Sequence, residues 1–177
     1  GLVGSPRPYQ LDGLRWLQFL ADARLGGVLA DDMGLGKTLQ ILMHLLAEKQ
    51  AARLSQPALV VCPTSVIGNW QEQAQRFAPE LRVLVLHGLR RGDDFARIGD
   101  HDLVITTYSL LARDRVELLK QHFALAVFDE AQAIKNPLSQ AALVARALPV
   151  QLRLAVTGTP LENHLGELWA QFDCVLP

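Results

Sequence analysis

The chain has 177 residues, of which 50% are hydrophobic and 20% charged, most simply one domain able to bury roughly 70% of its extended-chain surface. With 9 prolines and 13 glycines it is neither a collagen-like repeat nor a compositionally disordered chain. The balance of 17 basic against 18 acidic residues, net charge -1, excludes a strongly basic nucleic-acid coat but leaves room for a local phosphate-binding face. In chain order, Leu11, Leu14, Trp16, Leu17 and Leu20 form a broad apolar helix face, with Pro8 near the helix start. A strand over Gly27–Ala30 precedes a run of helix formers at 38–52, and a strand over Ala58–Cys62 follows. Behind Pro63, Ile67, Trp70, Ala74 and Phe77 recur at helical spacing within 65–77. Strands at 83–86 and 103–106 flank a polar excursion at 88–99 that has room for a short helix. A helix at 113–120, a strand at 125–128, a helix at 139–148, a strand at 152–156 and a helix at 165–172 complete the set, and residues 175–176 are too near the end to classify.

Most of these strands are continuously apolar rather than alternating, as in a parallel sheet covered on both faces. Strands alternating with helices predict an α/β three-layer sandwich, mostly parallel, with right-handed crossovers. There is no internal repeat, low-complexity tract or interdomain linker. Cys62 and Cys174 are too few for a disulfide framework and lack metal-ligand spacing. Cys62 sits beside Leu59, Val60 and Val61, which reads as a buried thiol in a reducing, intracellular setting. The apolar runs fall well short of the ~20 residues that span a bilayer, and no signal peptide precedes them. A start at Gly1 without methionine and an end at Pro177 read as a piece of something longer.

The strongest local signal is Ala30-Asp31-Asp32-Met33-Gly34-Leu35-Gly36-Lys37-Thr38. An apolar strand enters a glycine-bearing turn and Lys-Thr opens a helix, so successive backbone N–H groups can surround phosphate oxygens. In a P-loop of this kind Lys37 reaches the β- and γ-phosphates of ATP and Thr38 places its hydroxyl on Mg²⁺. The general G-x-x-x-x-G-K-[ST] pattern is missed at its first position, where Asp31 stands. The alternative is an ordinary glycine-rich turn with a solvated Lys37.

A second strand ends at Phe128-Asp129-Glu130. ATP hydrolysis needs one acid held near Mg²⁺ through a water and another that orients or deprotonates the attacking water. Asp129 is the candidate for the first role and Glu130 for the second. Alone, an acidic pair at a strand end is ordinary; its coupling to Lys37-Thr38 makes it informative.

Together with their flanks, these residues resemble the N-terminal RecA-like lobe of Swi/Snf-type ATPases in helicase superfamily two. The likeness runs from Arg7 to about Leu176. Arg7-Pro8-Tyr9-Gln10-Leu11-Asp12-Gly13 resembles the nucleotide-recognition motif, and Asp31-Asp32-Met33-Gly34-Leu35-Gly36-Lys37-Thr38-Leu39-Gln40 motif I, with Asp32 in place of the usual glutamate. Val61-Cys62-Pro63-Thr64-Ser65-Val66-Ile67-Gly68-Asn69-Trp70 is similar to motif Ia, and Val104-Ile105-Thr106-Thr107-Tyr108-Ser109-Leu110 to Ib. Asp129-Glu130-Ala131-Gln132 resembles motif II, commonly ending in histidine, and Thr157-Gly158-Thr159-Pro160-Leu161-Glu162-Asn163 motif III.

The resemblance implies a P-loop NTPase fold with Gln10 beside the adenine edge and Asp32, Met33, Gly34, Leu35, Gly36, Lys37 and Thr38 around the phosphates. It places the motif III strand between those of motifs I and II, with Gln132, Thr157 and Thr159 coupling nucleotide state to the rest of the motor. It implies a groove for one strand of duplex DNA, with Thr64, Ser65, Asn69, Thr106 and Thr107 as phosphate contacts. Such groups position a backbone without reading bases, and helix capping is the competing role for each hydroxyl. Trp70 is either a core residue or a base platform; Trp16 and Trp169 read as packing. His87, Arg90, Arg91 and Arg97 are further phosphate candidates, against a solvated mixed-charge face that includes Asp93, Asp94 and Asp100.

The implied activity is DNA-dependent ATP hydrolysis driving translocation on duplex DNA, with remodelling of DNA-bound protein complexes as the expected work. The whole chain, 1–177, is then one lobe, and a second RecA-like lobe of the same protein supplies the arginines that touch the γ-phosphate. An arginine finger is worth ~10³–10⁵ in rate, so the lobe alone is expected to be nearly inactive. Alternatives are an RNA-directed superfamily-two helicase lobe, a nonhydrolysing nucleic-acid-binding module, and an unrelated kinase or transporter ATPase. No membrane partner is expected, and the setting is cytoplasm or nucleoid in a prokaryote and nucleus in a eukaryote.

Overall fold

The computed structural model describes residues 8–23, 25–30 and 36–158. The expected helix at 165–172, residues 175–176, the turn residues Asp31, Asp32, Met33, Gly34 and Leu35, and Thr159 lie outside the described residues.

Among the described residues six strands form one sheet: β1 Gly27–Ala30, β2 Ala58–Cys62, β3 Val83–Val85, β4 Leu103–Thr107, β5 Phe123–Asp129 and β6 Val150–Thr157. Their order is β1-β6-β5-β2-β4-β3 and every pairing is parallel. The motif III strand, β6, therefore lies between the strands of motifs I and II, as the resemblance implied.

The helices are α1 Pro8–Ala23, α2 Lys37–Gln50, α3 Ile67–Phe77, α4 Tyr108–Arg113, α5 Arg115–Leu118 and α6 Gln140–Ala147. Residues of α1, α2 and α3 bury one sheet face around Val60, Ile105, Val127 and Leu154. Residues of α4, α5 and α6 bury the other around Leu59, Val104, Ala126 and Ala155. The alternate residues of one strand thus serve opposite layers, which is why the strands read as unbroken apolar runs. Among the described residues, no helix is long and apolar enough to cross a membrane.

The helix expected at 113–120 is instead two short ones, α4 and α5, beginning at Tyr108. Thr107 closes β4 and caps α4, its Oγ1 accepting from the Leu110 N–H at 3.3 Å. The excursion at 88–99 contains a 3₁₀ segment, Arg91–Asp100, anchored by buried Ile98. Arg91 pairs with Asp114 at 2.7 Å and Arg97 with Asp94 at 2.9 Å, so this is a mixed-charge face. On α1, Leu17 and Leu20 are buried, whereas Leu11, expected on the apolar face, is 39% exposed.

Gly13 sets how close α1 lies to α2: a Cβ there would stand 2.1 Å from Gln40 Oε1, and Gln40 is buried. At the opposite end of the sheet, Lys49 of α2 and Arg82 before β3 converge on Asp102, which precedes β4. Burial would raise that carboxyl, yet hydrogen bonds from Arg82 and Lys49 hold it down at about 2.

Candidate active site

Parallel register brings the chemistry to one edge. Ala30 lies beside Thr157, Asp129 beside Val156, Val61 beside Phe128, and Cys62 beside Thr107. The carboxyl ends of β1, β6, β5, β2 and β4 therefore lie along one edge, where open parallel sheets bind ligands.

Gly36 leads into α2 with φ 125°, a conformation that side-chain-bearing residues rarely adopt. Its carbonyl accepts from the Gln40 N–H at 2.8 Å, starting the helix. Lys37, the first helical residue, is only 6% exposed. Its Nζ and Glu130 Oε1 each lie 3.8 Å from where a Cβ on Gly158 would stand. Residues from three separate turns thus meet around Gly158, which lacks a side chain to fill the space. Thr38 is half-buried on the first turn of α2. Gln10 lies in the first turn of α1.

Asp129 is held from both faces of the sheet. Its Oδ2 accepts the indole N–H of Trp70 at 2.8 Å, and its Oδ1 accepts the Glu130 N–H at 3.0 Å. Its carbonyl accepts the Tyr108 hydroxyl at 2.6 Å. Burial pushes the Asp129 carboxyl up and the Glu130 charge adds to that; Trp70, the Glu130 N–H and Lys37 oppose it without cancelling it. Burial also pushes the neighbouring Cys62 thiol up to about 12, and the Asp129 charge contributes, so Cys62 stays protonated and inert.

Glu130 occupies the left-handed region, φ 50° and ψ 55°, which costs roughly 1–2 kcal/mol for an L-residue. That sharp turn separates the two adjacent carboxylates: Asp129 faces Trp70, and Glu130 faces Lys37 and Gly158. Gln132 Nε2 donates to Glu130 Oε2 at 2.5 Å, and Thr157 Oγ1 donates to Gln132 Oε1 at 3.4 Å. An amide gives and receives one hydrogen bond here, the two functions a neutral imidazole performs with its two nitrogens.

The nucleic-acid candidates do not form one surface. Thr64, Ser65 and Asn69 are exposed, on the 3₁₀ turn after β2 and the first turn of α3. Gln73 Nε2 donates to Asn69 Oδ1 at 2.9 Å, so that hydrogen bond engages the Asn69 side-chain oxygen and not its amide nitrogen. Thr106 and Thr107 are buried. The Thr106 hydroxyl donates to the Leu86 carbonyl at 3.4 Å, and that of Thr107 serves the α4 cap. Trp70 is fully buried, which rules out a base platform and leaves packing. Helical spacing does not reveal its hydrogen bond to Asp129 or that of half-buried Tyr108; the signal available is the residue type, since a tryptophan or tyrosine that packs inward carries a polar atom that needs a partner.

Among the described residues no three or more His, Cys, Asp or Glu side chains gather into a metal site. Mg²⁺ is commonly held by one or two carboxylates, with phosphate and water completing its octahedron. Asp129 could serve as such a carboxylate, since each of its oxygens accepts one hydrogen bond and retains a lone pair.

The sequence profile of the SNF2-related domain matches residues 9–177. The chain belongs to the SNF2 family. It is similar to YwqA of Bacillus subtilis (strain 168), 45% identical over 173 residues, covering 96% of this chain and 19% of that protein. It is 38% identical over 179 residues to the ISWI chromatin-remodeling complex ATPase ISW2 of Saccharomyces cerevisiae, covering 98% of this chain and 16% of that one. The Sulfolobus solfataricus SWI2/SNF2 ATPase core in complex with dsDNA superposes with a TM-score of 0.92 at 39% identity, covering 99% of this chain and 36% of that one. The chain spans less than a fifth of the length of the curated relatives it matches, 19% and 17% for two bacterial ones. This SNF2-family chain is the N-terminal RecA-like ATPase lobe.

Proposed function

We propose that this lobe binds Mg²⁺–ATP at the carboxyl edge and, joined to a second RecA-like lobe, hydrolyses it in response to duplex DNA and translocates along that duplex. The observation that carries this reading is the convergence of Lys37 Nζ and Glu130 Oε1 on Gly158, beside an Asp129 that is hydrogen-bonded from two helices. When bound, Mg²⁺ would supply neutralisation of the phosphate charge. Lys37 binds phosphate oxygens, and Thr38, through its hydroxyl, and Asp129, through a water, would hold the metal. Glu130 accepts the proton of the attacking water. Gln132 fixes the Glu130 carboxylate and Thr157 fixes Gln132, a chain that leads from the β6 turn, and Thr159 beyond it, to the base. Asp32, Met33, Gly34, Leu35 and Gly36 complete the phosphate loop, and Gln10 reads the adenine edge.

Thr64, Ser65 and Asn69 are the proposed contacts to one DNA strand, supported by their exposure and by the dsDNA complex of the Sulfolobus relative. Thr106 and Thr107 act there by shaping the turn after β4 rather than by direct contact. Remodelling of DNA-bound protein complexes is the proposed work, wherever the chromosome lies: cytoplasm or nucleoid in a prokaryote, nucleus in a eukaryote.

The test is steady-state ATPase of the full-length protein with and without duplex DNA, and with RNA as the competing activator. Duplex stimulation is expected, together with loss of nucleotide binding in Lys37→Ala. Glu130→Gln is expected to keep binding and lose turnover by about 10²–10⁴. Stimulation by RNA alone would contradict the DNA assignment, and equal loss of binding and turnover in folded Glu130→Gln would remove Glu130 from its role. Substantial duplex-stimulated turnover by the 177-residue lobe alone would contradict the need for a second lobe.

A further inference from the structure

We infer that Trp70 and Tyr108 form a two-sided clamp on Asp129, in which Trp70 links the proposed DNA-facing turn after β2 to the metal-side carboxylate and Tyr108, from the turn after β4, braces the backbone that carries it. The inference rests on the roles proposed above for Asp129 and for the turn carrying Thr64, Ser65 and Asn69.

Trp70 follows Asn69 directly on α3, in the layer with α1 and α2; Tyr108 opens α4, in the opposite layer. From one side the indole N–H reaches the Asp129 carboxylate at 2.8 Å; from the other the phenol reaches its carbonyl at 2.6 Å. Packing alone explains neither polar atom. Trp70 is fully buried, and a phenylalanine would bury a comparable apolar ring there without the N–H. The sheet order explains the convergence: β2 is flanked by β5 and β4, so the turns after β2 and β4 both lie within reach of the end of β5.

Asn69 and Trp70 occupy one rigid first turn. A phosphate that engages Thr64, Ser65 and Asn69 therefore fixes the indole, and the indole fixes the rotamer of Asp129. Trp70 is in this sense a positioning residue: fully buried, it has no surface to offer nucleotide or DNA, and it aims the carboxylate proposed to hold the metal's water. Partners of this kind behind metal-side ligands are commonly worth about 10–100-fold in metal affinity or activity.

The experiment uses the full-length protein and two variants that each delete one donor while keeping a ring, Trp70→Phe and Tyr108→Phe. A fluorescent ATP analogue is titrated at a series of Mg²⁺ concentrations, and ATPase is measured with and without duplex DNA. Trp70→Phe is expected to raise the Mg²⁺ concentration for half-maximal nucleotide binding about tenfold and to cut the duplex stimulation factor by a similar ratio. Mg²⁺-free nucleotide binding is expected to stay at the wild-type level, a split that general loss of packing would not produce. Tyr108→Phe is expected to move the same two quantities in the same direction, and it decides the matter if Trp70→Phe does not fold. Mg²⁺ dependence and duplex stimulation both within twofold of wild type in a folded variant would overturn the clamp while leaving the ATPase reading intact. Absence of Mg²⁺-dependent nucleotide binding in the wild type would overturn both.

Discussion

Replacing Asp102 by asparagine keeps the shape of the side chain and removes its charge. The carboxylate accepts from Lys49 Nζ at 2.7 Å, from the Arg82 backbone N–H at 2.8 Å, and from the Arg82 guanidinium at 3.2 and 3.1 Å. The side chain is 9% exposed. Its pKa, about 2 in the folded chain against an ordinary 3.8, corresponds to about 2 kcal/mol of stability at neutral pH. Because the folded carboxyl holds its proton less tightly than the unfolded one, that stability is fully present above about pH 4. It is lost as pH falls through the folded value, and about half should remain near pH 3. Urea unfolding of wild type and Asp102→Asn should therefore differ by about 2 kcal/mol at pH 7, with unchanged m-values, and by about 1 kcal/mol at pH 3. A gap that is absent at pH 7, or that does not narrow toward pH 3, would refute the idea that this ion cluster pins α2 to the starts of β3 and β4.

Three further outcomes are expected. Gln10→Ala should erase the preference for ATP over GTP in binding assays while leaving affinity for inorganic triphosphate unchanged. Gly13→Val should cost roughly 1–3 kcal/mol in urea unfolding through overpacking against buried Gln40, and should weaken nucleotide binding by displacing the helix that carries Gln10. Gln132→Ala should lower duplex-stimulated turnover about tenfold at unchanged nucleotide affinity, whereas Gln132→His should hold it near wild type by supplying both hydrogen bonds.

Much of the fold was legible because the strands are buried on both faces. Runs such as Ala58–Cys62 carry no polar residue to confuse the pattern, and all five are buried. The helix beginning at Tyr108 was missed because Thr107 ends a strand and caps a helix at once, so no loop composition separates the two. Two of the threonines expected on the nucleic-acid face illustrate a related limit. A hydroxyl at a strand end can face solvent or close a local turn, and only the neighbours, Leu86 for Thr106 and Leu110 for Thr107, decide between them.

The candidate site was legible in its residues but not in its orientation. Lys37 and Glu130 announced their types; the left-handed backbone that turns Glu130 away from Asp129 leaves no trace in an Asp-Glu pair. The Trp70–Asp129 hydrogen bond joins residues 59 apart, and helical spacing reports only that Trp70 faces inward.

The most direct test of the account is a crystal structure of the protein with Mg²⁺ and a nonhydrolysable ATP analogue. Lys37 Nζ should contact the terminal phosphates, the Thr38 hydroxyl should ligate the metal, and Asp129 should hold one of its waters, with Glu130 on the side of the attacking water. Phosphates bound away from Gly158, or a metal beyond reach of both Thr38 and Asp129, would contradict it.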